Sequence, residues 1–191
     1  MAQSITTRRI KALALCCGTS KIYGNGRLAY INVTVLDDTF ILVATDGHML
    51  LKFEYDHSEW NLLKESIKEL YSEVIPDEPT NGGIFPDEKS MKIGDISTHW
   101  VSKEYITLES YPRWEQLIPK SFENDRSQFP VFAFHILERV HKIFKLLYVP
   151  GVCYVPDGWN SGMSATIHYL QNSSGNNQNH KDFMLVMPIK I

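Results

Sequence analysis

A chain of 191 residues is long enough for one ample domain or two small ones. Hydrophobic residues make up 43% and charged residues 21%, ordinary for a soluble globular protein, and no apolar run approaches the length of a membrane span. The formal net charge of −3 does not mark a nucleic-acid binder, although a sum over the chain averages faces that can differ.

The N-terminal stretch "MAQSITTRRIKALALCCG" lacks the long apolar core and small-residue cleavage site of a signal peptide, and reads as a helix of a cytosolic protein. The helix is predicted over 5–17, capped by Thr6 or Thr7. Ile10, Leu13 and Cys17 share one face, with Arg8, Arg9 and Lys11 on the other sides. The three cysteines (Cys16, Cys17, Cys153) form neither a CxxC pair nor an even disulfide set, and read as buried thiols in a reducing compartment.

Gly24-Asn25-Gly26 supplies a turn. "AYINVTVLDDTFILVATDGHMLLKFEYD" then alternates and is rich in β-branched and aromatic residues, which predicts two strands reversed at Asp37-Asp38 and a third after Gly47. A second helix is expected over 59–74 through Leu62, Leu63, Ile67 and Leu70. Residues 75–90, rich in Pro, Gly and acidic side chains, read as a loop, and 91–110 return to strand periodicity with a turn at Gly94-Asp95. "YPRWEQLIP" (111–119) reads as a connector lying against a neighbouring unit, and polar 121–128 as a domain boundary.

A third helix is expected over 132–147, with a broad apolar face opposite Arg139, His141, Lys142 and Lys145. Short strands follow in "GVCYV" and "SATIHYL", then a polar loop over 171–182. The last segment, "FMLVMPIKI", is an apolar strand broken by Pro188, which places it at a sheet edge or makes it leave the sheet. Its apolar tail must be buried or belong to a docking surface. The order predicts an α+β fold of mainly antiparallel strands with helices on one side.

Little in the chain looks like chemistry. The seven histidines form no HxH, HExxH or Cys/His cluster, so no metal site is expected. No GxSxG is present, and Gly24-Asn25-Gly26 lacks the spacing of a phosphate loop. Asp46-Gly47-His48 has no evident partner acid or base. By spacing alone it is a structural turn, in which Asp46 forms an Asx turn, Gly47 provides the backbone geometry, and Thr45 and His48 end a strand. A binding role is the lesser alternative.

Three segments add a resemblance. "LVATDGHMLL" is similar to the middle domain of bacterial DNA polymerase III β sliding clamps, where VATDGHRLA is usual. "YPRWEQLIP" resembles that family's linker between its middle and last domains, and "FMLVMPIKI" resembles its C-terminus, in the same order along the chain. The resemblance implies a DNA-clamp fold of αβββ half-units. Residues 1–119 are like the middle domain, 120–128 are a linker, and 129–191 are like the C-terminal half of the last domain. It further implies a processivity factor without catalysis or cofactor, forming a homo-oligomer. Such a protein would tether DNA polymerase and clamp loader, through their clamp-binding peptides, to duplex DNA without sequence specificity.

Carried over from the family, a peptide cleft comprises Thr45, Gly47, His48, Leu50, Pro112, Leu117, Leu185, Met187, Pro188, Ile189 and Lys190, the last replacing the usual Arg. Such an apolar pocket with a few polar groups at its edge suits Leu or Phe anchors. Arg8, Arg9 and Lys11 of the first helix and Arg139, Lys142 and Lys145 of the third would contact phosphates. Met49 stands where the family has Arg, which removes a charge from the cleft edge. The family's first domain and the start of its last one have no counterpart here. A module that keeps the cleft without a ring, and recruits or competes for clamp-binding proteins, is therefore the alternative.

Overall fold

The structure, a computed structural model, describes residues 4–18, 27–70, 76–86, 98–102, 111, 113–118, 131–149, 158–160, 165–170 and 182–188. The first helix, α1 (Ile5–Cys16), is capped by Ser4, whose hydroxyl accepts the Thr7 N–H at 3.1 Å, and not by Thr6 or Thr7 as expected. The Ser4 hydroxyl also lies 3.2 Å from that of Ser66, so the cap doubles as a link to a neighbouring helix. Ser4→Ala is expected to cost about 1 kcal/mol, read as a fall of about 2–4 °C in the thermal midpoint for a chain of this size.

Three antiparallel strands follow, β1 (Ile31–Val35), β2 (Thr39–Thr45) and β3 (Met49–Asp56), with the reversal at Asp37-Asp38 where the acidic pair placed it. A 3-10 turn over His57–Glu59 leads into α2 (Trp60–Leu70). Residues 75–90, expected as a loop, contain β4 (Gly82–Pro86), which pairs with β1 on one side and with β5 (Thr98–Ser102) on the other. Two glycines and a proline speak against a strand locally, but pairing on both sides outweighs that weak preference. Next come a 3-10 turn at Trp114–Leu117 and the helix α3 (Phe134–Leu147). The chain then adds β6 (Gly158–Asn160), β7 (Ala165–Tyr169) and β8 (Phe183–Val186). The expected strand at 151–155, the turns at 24–26 and 94–95 and the boundary at 121–128 lie outside the described residues.

The eight strands among the described residues join one antiparallel sheet in the order β5-β4-β1-β2-β3-β8-β7-β6, so the fold is α+β as expected. Segments from both sides of residues 120–128 meet where β3 pairs with β8, Leu50 opposite Leu185 and Met49 opposite Val186. An internal two-fold relation follows from this order. α1 with β1-β2-β3 and α3 with β6-β7-β8 are each a helix followed by a three-stranded meander, and the two third strands pair at the centre.

Each central strand buries both faces, which is why "TFILVAT" and "FMLV" read as unbroken apolar runs. On one face Phe40, Leu42, Leu51, Phe53, Met184 and Val186 pack against α1, α2 and α3. On the other, Ile41, Val43, Leu50, Ile167 and Leu185 pack beneath Tyr111 and Trp114. The 111–118 segment is thus a cover for the second face, held by the Tyr111 hydroxyl donating to the Val43 carbonyl at 3.0 Å. Pro188 follows β8 at the point where the chain leaves the sheet, and β8 itself is an interior strand.

The helix α1 has almost no exposed side. Ala12, away from the expected apolar face, is as buried as Ile10 and Leu13, and Lys11 is buried too, because α1 is flanked by both α2 and α3. Cys16 and Cys17 are unpaired, and burial pushes both thiols far above the usual range. In a Cys153→Ser protein both should resist a disulfide reagent at pH 8 while folded, because the thiolate is the attacking species. The labelling rate is expected to rise in urea in step with unfolding followed by circular dichroism.

Candidate functional site

The turn between β2 and β3 is built almost wholly from its own side chains. Gly47 takes a φ of 87°, the left-handed region that glycine enters without steric cost. One Asp46 carboxylate oxygen accepts the backbone N–H groups of His48 and Met49, both at 2.8 Å. The Thr45 hydroxyl donates to the Met49 carbonyl at 2.7 Å and accepts the Gly47 N–H at 3.1 Å. Asp46 and Thr45 are buried, while Gly47 and His48 are exposed.

The second Asp46 oxygen pairs with the Arg139 guanidinium of α3. Arg139 also donates through Nε to the Leu15 carbonyl at 3.1 Å, in the last turn of α1. There it meets a carbonyl that the helix leaves without an internal partner and the negative end of the helix dipole. The Asp46 carboxylate is therefore engaged at both oxygens and serves as an architectural hub.

The terminal segment joins the turn directly, as the Met187 N–H donates to the His48 carbonyl at 2.8 Å. Beneath this contact Leu50 and Leu185 are cross-strand partners, 2% and 1% exposed, and Leu117 packs against their cluster half-buried. The structure thus brings together Thr45, Gly47, His48, Leu50, Leu117, Leu185, Met187 and Pro188. Pro112, Ile189 and Lys190 lie outside the described residues. Of those brought together, Thr45, Leu50 and Leu185 are buried. The accessible part is Gly47, His48 and the half-buried Leu117, Met187 and Pro188. Met49, in the position of the family's Arg, is buried against the helices and presents nothing to the surface.

The basic residues of α1 and α3 are largely committed within the fold. The Arg9 guanidinium pairs with Asp182 at 3.0 Å and lies over the Phe53 ring. Arg8 donates to the Ser4 carbonyl at 3.4 Å and stacks on Tyr148. Lys11 is buried, Arg139 holds Asp46, and Lys142 pairs with Glu138 one turn earlier at 2.8 Å. Lys145 is exposed.

Asp182 is a residue the sequence did not single out. Its carboxylate accepts the Arg9 guanidinium and the Glu54 N–H at 2.9 Å. Burial pushes this carboxyl above its usual range, while Arg9 and the Glu54 N–H draw it back. No local signal marks such a residue, since its partners are 173 and 128 positions away.

Among the described residues no group of His, Cys, Asp and Glu is arranged to hold a metal ion, and no helix is long and apolar enough to cross a membrane. Comparison with protein-family models, with curated proteins and with solved structures returns no match.

Proposed function

We propose that the chain is a sliding-clamp-like protein that docks the short apolar peptides through which DNA polymerases and clamp loaders grip a clamp. The observation that carries this reading is the β3–β8 pairing. It draws the three segments similar to the clamp family, separated by up to about 140 residues of chain, to one place around His48 and Met187. There Met187 and Pro188 form a half-buried ledge beside the polar, exposed turn of Gly47 and His48, the mixture that suits an apolar anchor flanked by backbone contacts. Met187 is unbranched and polarizable, so the ledge can adjust to its guest.

Titration of a fluorescein-labelled short peptide carrying Leu and Phe anchors tests this. Saturable binding is expected, weakened about tenfold or more when Met187 and Pro188 are both changed to Ala, which is about 1.4 kcal/mol. No binding, or binding indifferent to both changes, would sink the reading.

The wider reading is a cytoplasmic processivity factor, in which several copies close a ring and tether the bound polymerase to duplex DNA. The internal two-fold supports it, because a helix with a three-stranded meander is the repeating unit that such rings multiply. The inward commitment of Arg9, Lys11 and Arg139 favours instead a module that keeps the peptide site without a DNA-lined ring. Light scattering after size exclusion separates the two. An oligomer that stays on closed circular duplex at high salt and is lost when the duplex is cut fits the ring, whereas a monomer indifferent to circular DNA fits the module.

A further inference from the structure

The internal two-fold relates more than strands. Arg9 of α1 reaches Asp182, just before β8, and Arg139 of α3 reaches Asp46, just before β3. Each helix therefore holds the carboxylate that leads into the other unit's third strand, and the two ion pairs lie at opposite ends of the β3–β8 seam. Asp182 receives the Glu54 N–H near one end, while Asp46 adjoins Met49, which pairs with Val186 at the other.

The pairs are alike in charge but differ in what lies beyond them. Beyond Asp182 stand the strand backbone and the buried rings of Phe53 and Tyr55. Beyond Asp46 stands the exposed turn. A bonded chain runs from the Leu15 carbonyl through the Arg139 guanidinium to Asp46. It continues through the N–H groups of His48 and Met49, and from the His48 carbonyl to the Met187 N–H.

We propose that Arg139 is a positioning residue for peptide docking: it fixes the Asp46–His48 turn, and through the His48 carbonyl the Met187 segment, in the arrangement the guest meets, while Arg9 with Asp182 only braces the seam. Arg139 was expected, from the clamp resemblance, to contact phosphate. Its guanidinium is instead held by two oxygens from different elements, the Leu15 carbonyl and the Asp46 carboxylate. A planar fork bound at two points fixes an orientation that a single-point cation such as lysine cannot. The proposal rests on the docking reading above.

A double-mutant cycle tests it, using Asp46→Asn, Arg139→Gln and the two combined, with Arg9→Gln as comparison. Asparagine keeps an oxygen to accept the His48 and Met49 N–H groups and puts an NH2 donor, in place of a carboxylate oxygen, against Arg139. With the labelled peptide, each single change is expected to weaken binding about tenfold and the double change no further, because both break one link. Arg9→Gln should lower the thermal midpoint yet leave affinity within about twofold. Wild-type affinity in Arg139→Gln, or losses that multiply to about a hundredfold in the double variant, would overturn the proposal. So would an equal loss of affinity in Arg9→Gln.

If the wild-type protein binds no peptide, the docking reading falls, and the positioning role is read from amide exchange. Arg139→Gln, and not Arg9→Gln, should then speed exchange at His48 and Met49 about tenfold. Unchanged exchange overturns the role of Arg139 independently of any peptide.

Discussion

Truncating Leu185 to Ala should cost about 2–5 kcal/mol, the range for removing a buried leucine side chain from a site that relaxes only partly. Leu185 is 1% exposed and sits on the strand that joins the two halves of the sheet, opposite Leu50 on β3 and Ile167 on β7. Its side chain belongs to the second face, where Val43, Tyr111 and Trp114 complete the cluster. That cluster is small, so few neighbours can move in to fill a void, which places the cost toward the upper part of the range. Domains are stable by about 5–15 kcal/mol, so this one change removes a large share of the total. Urea unfolding should show a lower midpoint with an unchanged slope, the sign of lost stability without altered compactness. Met184→Ala, on the adjacent residue but facing the helices, should cost a similar amount through the other core. The two differ at the site. If the peptide docks beside Met187, Leu185→Ala, two residues away on the same strand side, should also weaken the labelled peptide, whereas Met184→Ala should leave its affinity nearly unchanged. A loss below about 0.5 kcal/mol for Leu185→Ala, the size of an ordinary surface change, would mean that the second face does not hold the seam.

How far the sequence carries toward this picture depends on the range over which each feature is decided. β1, β2 and β3 were legible because β-branched and aromatic runs, the Asp37-Asp38 reversal and Gly47 are all local and agree. The Asx turn at Asp46 was legible for the same reason, since its oxygen is satisfied within three residues. Pro188 rightly marked the point where the last strand leaves the sheet. What was hidden is what neighbours decide. β4 exists because β1 and β5 lie on either side of it, against the preference of Gly82, Gly83 and Pro86. α1 has no solvent face because α2 and α3 flank it, so Lys11, placed by periodicity on an outer side, is buried. Leu50 and Leu185, which the resemblance assigns to a cleft, are buried, because Tyr111 and Trp114 pack on their face. The inward turn of Arg9 and Arg139 has no signature within a window of any useful length, since each meets an aspartate more than ninety residues away.

Asp46→Ala is expected to be the most damaging single change at the turn, at about 3 kcal/mol. Three donors depend on this carboxylate: the N–H groups of His48 and Met49 and the guanidinium of Arg139. Asp46 is buried, so water cannot freely take its place at the two N–H groups, and an unsatisfied buried donor costs about 1–3 kcal/mol. Arg139 is 29% exposed and recovers part of its solvation, which keeps the total below that of a fully buried pair. Asp46→Asn separates the contributions, since it retains the acceptor of the turn and replaces the oxygen facing Arg139 with an NH2 group. Its cost should be about 1–2 kcal/mol, toward the lower end for a hydrogen bond to a charged group because Arg139 is part-exposed. The difference between the two variants in urea unfolding then measures the turn itself, free of the ion pair. If alanine and asparagine cost the same, the backbone bonds contribute nothing and Arg139 alone holds the turn. If asparagine is silent, the turn is self-sufficient in the folded state, and Arg139 is left with the Leu15 carbonyl as its whole role.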